Sequence, residues 1–468
     1  MFSASRSIAP AWVVCAGFLL VVLFFGGGSA STVSSIVFLR PLAALALVFG
    51  LWRIDWTNIG TFRWPLFLLV AVILLVGVHL VPLPPGWWAA LPGREIELRA
   101  IADAGIEPVW RPIALVPSGA WNALFSLLIP AATMILMIGC SEAGRSRMLG
   151  VMLGFGAVTC AVAVLQVTVQ SPSLYFFEIT NSGTAVGLFA NRNHQAIFLA
   201  CLLPMLALFA SAPGMPSDVR IRRTWIGAGG ALLVFPLLLI TGSRAGLLLA
   251  FPALLFAVVL YEASLPQKDR SAKRRRLRML CYAAAIAAIV AIGGLFILFA
   301  RAEAVSRLAA SLTEGESNNR LPFWRLLPDM IWQYFPWGSG VGSFPEVFQI
   351  HEPTSLLKTT YLNHAHNDVL EVALVAGLPG IVLMLFGVLI FALSVVRLTR
   401  PDGIPLGRLA YARLGAMVLI LLGLASFVDY PLRTPSLAAI FAVAVIWTAQ
   451  GCAHRAAAQK ENLKEGLS

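Results

Sequence analysis

Residues 225–261 read WIGAGGALLVFPLLLITGSRAGLLLAFPALLFAVVLY, apolar throughout except near the middle. As one helix rising about 1.5 Å per residue, the stretch would be nearly twice as long as the roughly 30 Å hydrocarbon core of a bilayer requires. The polar break Thr241-Gly242-Ser243-Arg244 therefore reads as the tip of a helical hairpin, with spans expected at 225–240 and 245–261.

The same pattern extends outward in both directions. Of 468 residues, 59% are hydrophobic and 12% charged, with a mean hydropathy of +0.84, whereas a soluble domain has about 45–50% apolar and about 25% charged residues. Apolar blocks recur from residue 11 to residue 450, so the chain reads as one all-α polytopic membrane domain (11–450) rather than several soluble ones. About twelve transmembrane helices are expected. Besides the hairpin, they fall near 11–26, 36–52, 65–82, 121–139, 148–168, 194–211, 279–299, 369–396, 412–428 and 436–450. Residues 11–26 resemble a signal-peptide core, but with one preceding basic residue, Arg6, and many spans after it, the segment reads as an uncleaved first helix. The six cysteines lie within or at the ends of apolar blocks, so no disulfide framework or zinc site is implied.

Charge sets the orientation. There are 34 Lys+Arg against 22 Asp+Glu, a balance that would suggest nucleic acid in a soluble chain but here follows the positive-inside rule, and no nucleic-acid partner is expected. With both termini inside, 22 of the 34 basic residues fall in cytoplasmic segments, seven of them in QKDRSAKRRRLR (267–278), a run read as topogenic. The tail 451–468 is then cytoplasmic. Two outer loops are long enough to carry function. One, 83–120, opens with Trp87 and Trp88, a pair suited to the membrane interface. The other, 300–368, is the large extracytoplasmic loop. In it Phe323, Leu326, Leu327, Met330, Ile331 and Tyr334 recur at helical spacing, which predicts a short amphipathic helix against the outer leaflet, stopped by Pro336 and Gly338.

The chemistry-bearing residues collect at outer helix ends. They are Phe189-Ala190-Asn191-Arg192-Asn193-His194, the hairpin tip with Arg244, Asn318-Asn319-Arg320 within the large loop, and Asn363-His364-Ala365-His366-Asn367-Asp368 before the tenth span. All four are expected on one side at similar depth, where they would form an outward-facing polar pocket. An arginine deep at the hydrocarbon boundary costs up to about 2.5–3.5 kcal/mol unless it meets an anion, a carbonyl or water. Guanidinium forks match phosphate oxygens, and a histidine titrates near neutral pH, so the set suits an anionic lipid headgroup with proton transfer. Plainer roles exist for several members. Arg244 can snorkel to headgroups, Arg320 can be a solvated loop residue, and Asn367 and Asp368 can cap the tenth helix. His364 and His366 lack an acidic or cysteine partner at ligand spacing, so no metal is expected. Gly338-Ser339-Gly340-Val341-Gly342 lacks the strand–helix context of a nucleotide loop and reads as a tight turn.

In these motifs, TGSRAG, NNRLPFWR, PWGSGVGSF and NHAHNDVLEVALVAGLPG, with FANRNHQA upstream, the chain resembles the O-antigen ligase and O-antigen polymerase superfamily of bacterial membrane glycosyltransferases. The resemblance covers about residues 187–392. It implies a C-type glycosyltransferase-like architecture and an inverting, metal-independent, cofactor-free transfer of a glycan from undecaprenyl diphosphate to an acceptor glycan, either lipid A core or a growing polysaccharide. It also implies a bacterial inner-membrane location with the site facing the periplasm. By the same resemblance Arg244 and Arg320 would clasp the donor diphosphate, His366 would act as base or orienting group, and Arg192, Asn193, His364 and Asn367 would be neighbours in substrate binding. A flippase for lipid-linked oligosaccharides is the alternative, but a transporter should carry ionisable residues near midplane in several helices. Here the spans are apolar in their middles.

Overall fold

A computed structural model describes residues 10–30, 32–265, 276, 321–357, 362–399 and 409–465. The hairpin forms where the polar break predicted it. In chain order the helices are α1 (Ala11–Phe25), α2 (Ile36–Arg53), α3 (Arg63–His79), α4 (Pro85–Ala89), α5 (Glu95–Asp103), α6 (Pro117–Ser126), α7 (Leu128–Gly139) and α8 (Glu142–Val169). They continue with α9 (Arg192–Ser211), α10 (Ser217–Ile240), α11 (Arg244–Ser264), α12 (Leu321–Tyr334), α13 (Phe344–His351), α14 (Asp368–Thr399), α15 (Ala410–Ala425) and α16 (Pro435–Glu465). Among the described residues nine helical stretches are long and apolar enough to cross a membrane, and α1 and α15 are shorter apolar helices. The chain is thus an all-α, multi-pass membrane protein; the span expected at 279–299, together with Arg320, lies outside the described residues.

The chain divides into two compact units. The first comprises Met1–Met152, Phe323–Arg400 and Ser426–Ser468. At its centre is α7, with residues 131–138 all buried, packed against α1, α2 and α16. A two-residue ribbon, Pro82–Leu83 paired antiparallel with Arg111–Pro112, closes the base of the 83–120 loop. Within that loop Trp88 is buried and donates its indole N–H to the Pro112 carbonyl at 2.9 Å, while Trp87 is exposed. The expectation of an exposed interfacial pair is thus corrected for Trp88, whose indole N–H finds a carbonyl inside the loop.

The predicted amphipathic helix exists as α12, but its apolar face turns inward. Leu327, Met330 and Tyr334 are buried with Phe344, Val347 and Phe348 of α13 and with Leu374 and Val375 of α14. The outer-leaflet expectation is corrected by this: the sequence shows an apolar face but not which surface covers it, and α13 and α14 supply that cover.

The break in α14 explains the glycine-rich turn. Gly377 has φ +57° and ψ −149° inside the helix, a backbone conformation essentially confined to glycine. A side chain there would also meet the Pro336 carbonyl. Ser339 N donates to Leu374 O at 3.0 Å, Gly340 N to Val375 O at 2.9 Å, and Leu378 N to Pro336 O at 2.7 Å. The turn 338–342 thus satisfies the backbone groups that the break releases, a structural role for the motif.

The second unit comprises Leu153–Pro322 and Pro401–Ala425. Its most buried helix is α9, packed against α10, α11 and α15. Gly246 lets α9 and α11 approach closely, since a β-carbon there would overlap the Ala196 methyl, as expected of small residues at membrane helix contacts.

Candidate functional site

In the first unit the segment 363–368 leads into α14. Asn367 caps that helix: its Oδ1 accepts from Val369 N and Leu370 N, both at 3.1 Å. Asp368 N donates to Ser426 O at 2.8 Å, which ties the lead-in to the short connection before α16. That connection, Phe427-Val428-Asp429-Tyr430-Pro431-Leu432-Arg433, supplies partners to both histidines.

His366 Nδ1 lies 3.2 Å from Asp429 Oδ1. The Asp429 side chain is fully buried and the imidazole is about one-fifth exposed, so the ring can be reached from outside while its partner cannot. Asp429 Oδ1 also accepts from Tyr430 N at 3.0 Å, which fixes the carboxylate. With the carboxylate on Nδ1, that nitrogen carries the proton and Nε2 presents a lone pair. His366 itself has φ +52°, a conformation that a non-glycine residue holds at a cost and that concentrates at functional positions.

His364 is arranged differently. Its Nδ1 lies 3.0 Å from Glu371 Oε1, and Ala365 N donates to Glu371 Oε2 at 2.9 Å. Arg433 Nη2 meets the same Oε1 at 2.9 Å, with its Nε 3.7 Å from Asp368 Oδ1. Burial lowers the His364 pKa below its ordinary value; Glu371 opposes this, while Arg433 and His366 add to it. Burial also works against the charge of Arg433, but Glu371 and Asp368 outweigh it and raise its pKa. The Tyr430 ring sits between the two histidines, with centroids 4.5 Å from His364 and 4.8 Å from His366. Trp324 of α12 donates to Ala365 O at 2.8 Å and so pins the lead-in from the other side.

In the second unit the remaining described candidates gather at two helix starts. Asn191 caps α9 by accepting from Asn193 N at 2.8 Å, and Ser243 caps α11 by accepting from Gly246 N at 3.0 Å. Arg192 and Arg244 each occupy the first helical position. Arg192 Nη1 lies 3.5 Å from where a β-carbon on Gly242 would stand, beside the hairpin tip. Cations at helix N-termini oppose the macrodipole, so these positions do not serve helix stability. Helix N-termini and guanidiniums together form an anion-binding arrangement.

Sequence reasoning singled out His364, His366 and Asn367 here but missed Glu371, Asp429, Tyr430 and Arg433. The available signal was an ionisable residue inside or directly flanking an apolar span, which is a functional candidate by default. Glu371 stands in the run DVLEVALVAG and Asp429 directly after span 412–428.

Residues 229–385 match the family model described as O-antigen ligase. The match takes in the hairpin tip and the two histidines and ends before Asp429 and Arg433. The resemblance of the chain to the O-antigen ligase and polymerase family is thereby shown. Comparison with curated proteins gave no match.

Proposed function

We propose that the protein is an inverting glycosyltransferase that moves a glycan from undecaprenyl diphosphate to an acceptor hydroxyl, as an O-antigen ligase or a repeat-unit polymerase. It would work in the bacterial inner membrane with its site toward the periplasm. The observation that carries the chemical part is the His366–Asp429 pair. A sugar hydroxyl is a weak nucleophile until its proton is taken or shared, and in this reading His366 Nε2 would do so, with Asp429 on Nδ1 favouring the tautomer that leaves Nε2 its lone pair. The new bond forms between the acceptor oxygen and the anomeric carbon, on the face opposite the departing diphosphate, so configuration inverts. The acceptor proton passes to His366, and the bonding pair of the broken C–O bond leaves on the diphosphate.

The lipid diphosphate is itself a good leaving group, so neither a nucleotide nor a metal is required by this reading. Arg192 and Arg244, at two helix N-termini, would hold the diphosphate and stabilise its growing charge, with Arg320 contributing from the large loop. Asn193 would support the start of α9. His364, paired to Glu371 in the network that Arg433 completes, would position the lead-in rather than transfer the proton. Asn367 would fix the direction in which His366 faces by capping α14. The interruption of α14 at Gly377 is the feature that would favour a transporter. Its backbone groups bond the turn 336–340, so they are not open to an ion or substrate, and this favours the enzyme.

The test is in vitro transfer from undecaprenyl-diphosphate glycan by purified protein. His366→Ala should suppress transfer by about 10²–10⁴-fold and His364→Ala should cost less, with both unaffected by EDTA. Full activity in His366→Ala would remove the base. Wild-type activity lost in EDTA and restored by a divalent cation would overturn the metal-independent step.

A further inference from the structure

The loop between α8 and α9 is held by buried polar side chains beyond what a plain connection needs. Gln166 donates to both Leu174 O and Gly187 O at 2.9 Å and accepts from Gly187 N at 2.7 Å. Thr159 accepts from Leu188 N at 2.9 Å and donates to Gln195 Oε1 at 3.1 Å. Tyr175 OH accepts from Gly183 N at 2.9 Å and donates to Thr184 O at 3.3 Å. Tyr175 and Gly183, joined by one of these bonds, line a half-open surface cavity of about 460 Å³, a volume that a single small ring can occupy.

Its walls combine two half-buried aromatic rings, Tyr175 and Phe177, with Gln170, Glu178, Thr180 and Ser182. No lysine, arginine or histidine lines it. A carboxylate without a cation disfavours a phosphate or an acidic headgroup, and four polar walls disfavour a polyprenyl chain. Amide, carboxylate and hydroxyl groups beside aromatic faces suit a sugar ring, whose C–H face packs on an aromatic ring while its rim of hydroxyls both donates and accepts. Gln170 adds strain at the rim: its φ is +54°, rare for a non-glycine residue.

The cavity is also joined to the arginine cluster. Thr180 Oγ1 donates to Ala190 O at 2.9 Å, and Asn181, next along the chain, accepts from Arg192 N at 3.0 Å. We propose that this cavity is a sugar-binding subsite that takes an uncharged ring of the lipid-linked glycan, beside the diphosphate held by Arg192 and Arg244. The assignment rests on the glycosyl-transfer reading above.

The experiment uses the full chain in lipid nanodiscs. Saturation-transfer NMR is recorded with the methyl glycosides of glucose, galactose, N-acetylglucosamine and rhamnose, and phosphorus NMR line broadening is recorded with inorganic pyrophosphate. At least one glycoside should bind. Glu178→Gln and Phe177→Ala should each weaken it about tenfold, whereas Gln170→Gly, which relieves the backbone, tests the rim amide without a folding penalty. Pyrophosphate should bind these three variants as it binds the wild type and be weakened by Arg244→Ala. Absence of any glycoside signal, a signal that all three cavity variants leave intact, or pyrophosphate displacing the glycoside would overturn the proposal. If the glycoside results hold and no transfer occurs from undecaprenyl-diphosphate glycan, the sugar site stands and the transfer reading fails. If transfer proceeds with an unchanged donor KM in the cavity variants and no glycoside binds, the sugar site alone fails.

Discussion

Asp429→Asn is the substitution that most directly tests the base. The change keeps the volume, but the single atom Oδ1 faces both Tyr430 N at 3.0 Å and His366 Nδ1 at 3.2 Å. The amide therefore offers that site either an oxygen, which keeps both bonds without the charge, or a nitrogen, which accepts from neither. With the nitrogen there, its N–H aimed at Nδ1 moves the imidazole proton to Nε2, and the lone pair that would take the acceptor proton is lost. A hydrogen bond to a charged group is worth about 1.5–3 kcal/mol, which corresponds to about 10- to 150-fold from lost orientation alone. Where the nitrogen takes the site, the inverted tautomer adds to this, toward the full about 10²–10⁴-fold value of proton transfer. Turnover should therefore fall at least about tenfold while the donor KM stays near wild type, because Asp429 positions His366 and is not assigned to donor binding. The assay is steady-state transfer to a defined acceptor, with yield and thermal midpoint checked by size-exclusion chromatography. A well-folded Asp429→Asn protein with turnover within about threefold of wild type would refute the reasoning, and so would a loss confined to donor KM.

Three further outcomes are expected. Arg244→Lys should recover little of the activity lost in Arg244→Ala, at least about tenfold below wild type, since a point charge lacks the guanidinium fork; glycan assembly at wild-type level in the Lys variant would reduce Arg244 to an anchor. For orientation, two exposed serines serve as reporters: in a cysteine-free background, Ser355→Cys should react with an impermeant maleimide in spheroplasts and Ser217→Cys should not, and the reverse pattern inverts the topology. The contribution that His364 makes to stability should be lost as pH drops below about 6.5. Burial lowers the His364 pKa in the folded chain, so below the ordinary histidine value the unfolded chain binds the extra proton first and is favoured; His364→Gln should flatten that slope in thermal melts from pH 7.5 to 5, and an unchanged slope would assign it to other groups.

What was legible in the sequence was local. The hairpin at 241–244 needed only chain length against bilayer thickness and one polar break. The turn at 338–342 needed only its glycines and the missing strand–helix context. The capping role of Asn367 followed from its place before an apolar run. What was not legible depended on partners far along the chain. The apolar stripe of α12 is the same whether lipid or protein covers it, so its burial against α13 and α14 could not be read from spacing. Trp88 and Trp87 are neighbours of equal hydropathy, and the Pro112 carbonyl with the Arg94 and Arg111 guanidiniums over the Trp88 ring separates their fates.

The two histidines illustrate the limit and its physical content most fully. They are two residues apart, yet His364 joins Glu371 and Arg433 while His366 joins Asp429. The chain between them is held at Ala365, whose N–H is on Glu371 and whose carbonyl is on Trp324, and after them Asn367 begins the helix. His366 meets these fixed points in a left-handed conformation that costs an L-residue about 1–2 kcal/mol and glycine almost none. Were the position only a bend, glycine would serve better. The imidazole held there at that cost is partly exposed on one side and paired to a buried carboxylate on the other, the arrangement that the proposed base requires. The carboxylate lies 63 residues away, past the end of α14 and the whole of α15, so the sequence offered the histidine but not the partner that sets its tautomer.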